Sequence, residues 1–373
     1  VIWFHTASTP LCGIGNGVGI DPGSLLVEID LLKSQGASLE KLYISDRAHM
    51  VMPYHRVLDG LCEEGLGEAQ IGTTKRGIGP CYTDKAARLG LRMCDLMSDS
   101  FPAKLKAALT MKNELLVKLY NQLPLDYDTM LAEFMGYKKR LAPYICDTSL
   151  VCYESYKKGK KLLFEGAQGM LLDIDFGTYP YVTSSHPISG GVSTGAGLPP
   201  AAISEVVGVV KSYTTRVGKG PFVTELLDET GDFIRERGQE YGATTGRPRR
   251  CGWLDLVIVN FAVRIGGITS IALSRMDTLG EMDRVKVCVG YEIDGRVVNN
   301  YPASLDDIAK AKPVYEEFEG WSGDISHVRD YKDLPEAARR YVEFIEAQTG
   351  VPVGMIGVGP ERTECIRRQK YFV

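Results

Sequence analysis

No Cys-x-x-Cys pair occurs in this chain, and its nine cysteines form an odd set scattered from Cys12 to Cys365. That excludes a disulfide framework and points to buried thiols in a reducing compartment. Histidine is scarce as well: five residues without metal-ligand spacing provide no dedicated zinc site. Positive charge is not in excess, since 43 Lys and Arg face 47 Asp and Glu for a formal net charge of −4. Binding to nucleic acid or an acidic membrane through overall charge is therefore not expected. The longest apolar region, Leu254 to Leu273, is interrupted by Asp255, Asn260 and Arg264 and is no membrane span. No signal-peptide pattern, internal repeat or low-complexity stretch is visible. These absences leave a cytoplasmic enzyme as the expectation.

A length of 373 residues is enough to bury a sizeable core. Short β-branched runs alternate with helical patterns, which predicts an α/β fold: one domain over residues 1–373, with a mostly parallel central sheet covered by helices and with helical excursions. Leu162 to Phe164, Val206 to Val210, Ile268 to Leu273 and Pro352 to Ile356 read as strands, the first three as buried ones. A helix is predicted over 102–120, with proline in its first turn and Leu105, Leu109, Leu116 and Leu119 on one face. Another is predicted over 335–349, with Tyr341, Phe344 and Ile345 inward and Gly350 as its stop. The segment from Pro124 to Ile145 reads as a helix with weak caps.

The densest chemical signal is Gly242-Ala-Thr-Thr-Gly-Arg-Pro-Arg-Arg-Cys-Gly-Trp253. Glycines permit close backbone approach, threonines and main-chain N–H groups can hold an anion, and an arginine fork fits a carboxylate or phosphate. The alternative is a solvated basic turn. Ile71-Gly-Thr-Thr-Lys-Arg-Gly-Ile-Gly-Pro80, followed by Lys85 and Arg88, suggests a second oxyanion cradle of N–H and hydroxyl donors, or else a surface loop. In Phe164-Glu-Gly-Ala-Gln-Gly169, Gln168 can present both an acceptor and donors to a purine edge, or simply cap a strand end. Thr183, Ser184 and Ser185 could hold phosphate. Ser274-Arg-Met-Asp277 ends a strand with a carboxylate able to accept from guanine's N1–H and N2–H₂; the plain alternative is a helix N-cap. Small residues in Gly357-Val-Gly-Pro-Glu-Arg-Thr363 would let backbone close over a flat ligand. The early run Cys12-Gly-Ile-Gly-Asn-Gly-Val-Gly-Ile-Asp-Pro22 lacks the context of a dinucleotide fingerprint and reads as a turn into a helix near Pro22, which disfavours a nicotinamide dehydrogenase.

In this order the motifs resemble the adenylosuccinate synthetase family, with Ile14-Gly-Asn-Gly17 and then Ile71 to Pro80, Glu165 to Asp175, Gly177 to Ser185, Gly242 to Trp253 and Gly357 to Thr363 carrying the likeness. The resemblance implies a P-loop-NTPase-like fold and the GTP-dependent joining of L-aspartate to IMP, with Mg2+ as cofactor. It implies IMP contacts at Thr74, Gln168, Thr183 and Arg247, and an Arg88 that reaches the neighbouring site of a homodimer. Ala243, Thr244, Thr245, Gly246, Arg247 and Arg249 match the aspartate loop. Arg249, Arg275, Met276, Asp277, Gly357, Val358 and Gly359 match the GTP site, and Val217 and Gly218 fall near the nucleoside.

Arg275 stands where the family typically has lysine, and Pro248 where many relatives carry a basic residue. The family's G-D-E-G-K-G-K loop and its G-H-T motif, which supply the catalytic base, the histidine and the Mg2+ ligands, have no counterpart here. Phe4-His5-Thr6 lies too close to Ile14 to substitute for them. The expectation is an incomplete form of an ordinary enzyme, which an intact mass well above 41.0 kDa would support. A catalytically inactive nucleotide-binding protein or regulatory dimer partner is the alternative.

Overall fold

The structure is a computed structural model that describes residues 2–5, 11–242 and 246–371, with backbone alone for 2–5. The fold is α/β, and it divides into two compact units, one of residues 1–175 and 182–202, the other of residues 176–181 and 203–373.

The sheet of the first unit runs in the order Ile145–Cys146, Leu42–Ser45, Cys12–Ile14, Ile2–His5, Leu162–Glu165. The first three strands are parallel, and Ile2–His5 joins its two neighbours antiparallel. Ile44, Met50, Tyr54, Phe101, Leu105 and Phe134 lie in the core of this unit. The glycine run does lead into a helix, Pro22–Ser34, whose N-cap Asp21 accepts from Ser24 N–H at 3.0 Å. The helix predicted over 102–120 spans Phe101–Lys118. Leu105, Leu109 and Leu116 are buried, but Leu119 falls just past the last turn and stays 67% exposed. The helix Tyr127–Leu141 is better capped than its sequence suggested: Asp126 accepts from Thr129 N–H at 2.8 Å, and Lys138, Lys139 and Arg140 complement the dipole at its other end.

In the second unit a four-stranded sheet runs Cys365–Arg367, Val353–Gly357, Ser270–Ser274, Val207–Lys211, and its three long strands are parallel. A second sheet is built around the parallel pair Arg250–Asp255 and Arg284–Ile293, with antiparallel strands added on both sides. Leu254, Ile271, Leu273, Trp321, Tyr341, Ile345, Val353 and Ile356 form one core. The helix Glu336–Thr349 ends at Gly350 in the left-handed conformation, as its sequence implied, although Phe344 is only partly buried. Two strands expected to be buried are half-exposed. Leu163 lies on an outer strand of the first unit's sheet, and Val209, 79% exposed, lies on an outer strand of this one, where alternate side chains turn outward. Among the described residues no helix is long and apolar enough to cross a membrane. Nor are all nine thiols buried: Cys62 is exposed, while burial pushes Cys81, Cys152 and Cys288 up to about 12.

One buried acid gives the fold a testable pH dependence. Asp255 caps the helix Leu256–Gly266, accepting from Val257 and Ile258 N–H, and its other oxygen accepts from the Tyr291 hydroxyl at 2.6 Å. Burial outweighs these bonds and pushes the carboxyl up to about 6. Between the ordinary value near 4 and that raised value the folded chain binds more protons than the unfolded one, so this group's contribution to stability falls as pH rises through the window, by on the order of 2–3 kcal/mol. Denaturant titrations from pH 4 to 7 should show that slope flattened in Asp255→Asn. An unchanged slope would refute the assignment.

Candidate functional site

In the second unit the parallel strands Val207–Lys211, Ser270–Ser274 and Val353–Gly357 end side by side, with Ser274 in register with Lys211 and Leu273 with Ile356. The carboxyl ends of parallel strands are where open α/β sheets bind ligands. Gly357 lies so close to the next strand end that a Cβ there would sit 3.3 Å from Ser274 Cα. The sequence segments ending in Asp277 and running from Gly357 to Gly359 thus meet in space. Arg275 takes a left-handed conformation, φ 66°, and opens the 3-10 turn Met276–Leu279. The turn is anchored by Trp321 Nε1–H donating to Met276 C=O at 3.1 Å and by the Ser212 hydroxyl donating to Arg275 C=O at 2.7 Å. Asp277 is carried on this turn, whose N-cap is Arg275, and it forms no ion pair among the described residues. Its Oδ1 is buried without a hydrogen-bond partner among the described residues, and burial raises its carboxyl above the ordinary value. A buried acceptor left unpaired is costly, and a ligand carrying two adjacent donors would satisfy it. The neighbouring loop is shaped around Glu364, whose main-chain carbonyl accepts from Val358 N–H at 3.0 Å and whose Oε2 lies 2.3 Å from where a Cβ on Gly359 would stand.

The basic loop lies in the same unit. Its turn carries two main-chain bonds: Gly246 N–H donates to Gly242 C=O at 2.7 Å, and Gly242 N–H to Arg247 C=O at 2.8 Å. Arg247 is exposed. Arg249 Nη1 donates to Glu240 Oε2 at 2.6 Å. Arg250, by contrast, is committed to structure through a two-pronged pair with Glu225 and a bond to Gly220 C=O. Ala243, Thr244 and Thr245 lie outside the described residues. Val217 is half-exposed, and Gly218 follows it at φ 76°.

The first unit gathers another set. Thr74 sits exposed in the loop before the helix Ile78–Ala87. The backbone cradle expected there is already filled from within. Glu63 accepts from the N–H groups of Ile71, Gly72 and Thr73 at 3.3, 2.5 and 3.2 Å, and Asp59 accepts from Gly77 N–H at 2.8 Å. Gly77 packs so tightly on the helix carrying those acids that a Cβ would lie 2.8 Å from Arg56 N, and its φ of 78° suits glycine. Two buried carboxylates one helical turn apart thus clamp the loop and leave its Thr74 tip outward. The same unit brings Thr183 to Ser185 against the helix Ile78–Ala87: Ser184 Oγ would stand 3.7 Å from a Cβ on Gly79. Thr183 N–H is held by Leu172 C=O at 2.8 Å. Gln168 adopts φ 62°, is exposed, and its amide makes no hydrogen bond among the described residues, so it does not cap the strand Leu162–Glu165. Arg88 caps the helix Ile78–Ala87 in a left-handed conformation, exposed and without a side-chain partner among the described residues. His5 falls in the strand Ile2–His5, and Thr6 lies outside the described residues.

Sequence reading missed Glu63, Asp59 and Glu240. The i, i+4 spacing of Asp59 and Glu63 was the available signal, but such a pair usually marks a solvated face. It also missed a cluster of Asp173, Asp175 and His186, whose ligand atoms lie within 4.8 Å of one another. His186 Nδ1 faces Asp173 at 3.3 Å and its Nε2 faces Asp175 at 3.8 Å, so opposite ring nitrogens meet different carboxylates.

Comparison with known proteins completes the picture. The family profile described as adenylosuccinate synthetase matches residues 5–366. The adenylosuccinate synthetase of Caldanaerobacter subterraneus subsp. tengcongensis is 54% identical over 359 residues, covering 95% of this chain and 84% of that protein. That of Clostridioides difficile is 53% identical, covering 96% and 84%. Among solved structures, the fully ligated adenylosuccinate synthetase from Plasmodium falciparum superposes with a TM-score of 0.91 at 40% identity, covering 97% of this chain and 86% of its own. A cyanophage S-2L succinoaminodeoxyadenylate synthetase, 19% identical at a TM-score of 0.53, shares the fold. With its profile, its relatives and its strand-end geometry in agreement, the chain belongs to the adenylosuccinate synthetase family, ligases that join L-aspartate to IMP at the expense of GTP in the synthesis of AMP.

Proposed function

We propose that this chain performs that ligation through the residues gathered above. The carrying observation is Asp277: its Oδ1 is a buried acceptor with no hydrogen-bond partner among the described residues, just past the end of a parallel strand and beside a glycine-lined loop. Guanine offers two adjacent donors to such a carboxylate, and adenine does not. Arg275 stacks on the base, Gly357, Val358 and Gly359 wall it, and Val217 and Gly218 lie by the nucleoside. Thr74, Gln168, Thr183 and Arg247 hold IMP. Gly246, Arg247 and Arg249, with Ala243, Thr244 and Thr245, hold aspartate and the phosphates near it. Arg88, exposed and unpartnered among the described residues, suits a reach into the neighbouring site of a homodimer. The family match across both units supports one functional domain.

The reaction takes two steps. In the family's reaction a carboxylate base, a role that none of the residues gathered above fills, takes the N1 proton so that O6 of IMP attacks the γ-phosphorus of GTP, and an O6–P bond forms as the bond to GDP breaks. The amine of aspartate then attacks C6, and phosphate leaves with O6. The cationic groups of Arg247 and Arg249 offset charge on the carboxylates and phosphates they grip. Mg2+, expected from the family, would neutralise phosphate charge when bound. Asp173, Asp175 and His186 do not fit it: Mg2+ demands octahedral oxygen ligands, and here an imidazole stands between the two carboxylates. The test is formation of adenylosuccinate that requires IMP, GTP and aspartate together.

A further inference from the structure

The mechanism above uses Arg249 but not the carboxylate behind it. Glu240 is completely buried. Its Oε1 accepts from Lys211 Nζ at 2.8 Å and from the Tyr213 hydroxyl at 2.6 Å; its Oε2 accepts from Lys211 Nζ at 2.8 Å and from Arg249 Nη1 at 2.6 Å. The main chain repeats the tie, since Arg249 N–H donates to Glu240 C=O at 2.8 Å, while Arg235 Nε holds Arg249 C=O at 2.9 Å. Burial alone would push the Glu240 carboxyl up, but the three donors outweigh it and hold it below its ordinary value. With Glu240 ionised, the trio of Lys211, Arg249 and Glu240 leaves one positive charge uncompensated, and Lys211 also feels the field of Arg275.

What matters is which guanidinium donor is consumed. Glu240 occupies Nη1, and Nε and Nη2 of Arg249 have no protein partner among the described residues. Those two donors point the same way and form the side fork that takes two oxygens of a carboxylate or phosphate in parallel. We propose that Glu240 is a positioning residue: by holding Nη1 it locks Arg249 so that the Nε–Nη2 fork faces an incoming anion. This rests on the assignment of Arg249 to ligand binding. The anion is a pair of oxygens from the amino-acid carboxylate or from the nucleotide, and the experiment separates these sources.

Steady-state KM values for aspartate and for GTP should be measured in the full chain for Glu240→Leu, Arg249→Ala and the double variant. Glu240→Leu keeps bulk and removes the acceptor; it should raise the KM of at least one of the two by roughly 10- to 100-fold, the loss of an oriented charge-assisted pair. A rise for aspartate identifies the carboxylate, and a rise for GTP the nucleotide. In the Arg249→Ala background Glu240→Leu should add nothing, since it acts only through Arg249; a purely structural role would add its cost in both backgrounds. Should Glu240→Leu not fold, Arg249→Lys carries the test. An ammonium can pair with Glu240 but then has no planar fork to offer, so the same KM should rise at an unchanged melting temperature. If Arg249→Ala raises a KM while Glu240→Leu, or in its place Arg249→Lys, does not, the inference is wrong. If Arg249→Ala itself changes neither KM, the assignment of Arg249 to ligand falls, and this inference with it.

Discussion

In Asp277→Asn, kcat/KM with GTP should fall roughly 100-fold or more, and XTP should become the better phosphoryl donor. The reason lies in the donor pattern. Guanine presents N1–H and N2–H₂, both of which need an acceptor, and Asp277 Oδ1 is an acceptor left unpaired among the described residues. Asparagine replaces one acceptor with a donor that opposes the guanine amino group. Xanthine carries a carbonyl at that position and matches the amide. The turn itself does not depend on the carboxylate, because Trp321 and Ser212 anchor it through main-chain carbonyls. Burial also holds the Asp277 carboxyl above its ordinary value, so the acid form grows in at a higher pH than for an exposed aspartate. GTP affinity should accordingly weaken as pH falls toward that raised value, and Asp277→Asn should abolish the dependence. Retention of GTP preference in the variant would remove Asp277 from the guanine site.

Arg247→Leu should raise the KM of IMP and of aspartate together, each by roughly 10- to 100-fold, while the KM of GTP and the melting temperature stay near the parent values. The turn around Gly246 is closed by main-chain bonds between Gly242, Gly246 and Arg247, and leucine keeps them. What is removed is an exposed guanidinium at the tip of the loop. A group serving two substrates must show its loss in both. A change confined to one of them would split the shared role, and no change in either would show the loop to be a solvated turn.

Much of this was legible in the chain, for identifiable reasons. Helix 101–118 announced itself through proline in its first turn and leucines at 105, 109 and 116. The strand ends before Asp277 and Gly357 showed as apolar runs breaking into glycine and polar residues, the pattern of a parallel sheet's ligand edge. What could not be read was tertiary. Glu63 and Glu240 look like ordinary surface acids in sequence, yet one fills a nest of three N–H groups and the other binds two cations and a tyrosine hydroxyl. Their burial depends on segments that meet only in the folded chain. The same holds for Leu163 and Val209: their runs are apolar, but position at the outside of a sheet leaves them exposed. The Thr74 loop taught a related lesson, since glycine and threonine content signalled an anion cradle whose N–H groups the protein had already spent on Glu63 and Asp59.

The most direct measurement is product formation by the full chain from IMP, aspartate and Mg2+ with GTP or ATP as donor. Adenylosuccinate should form in step with GDP, dependent on every substrate and strongly favouring GTP. Equal use of ATP, or no product together with no saturable binding of IMP or GTP, would overturn the proposed function.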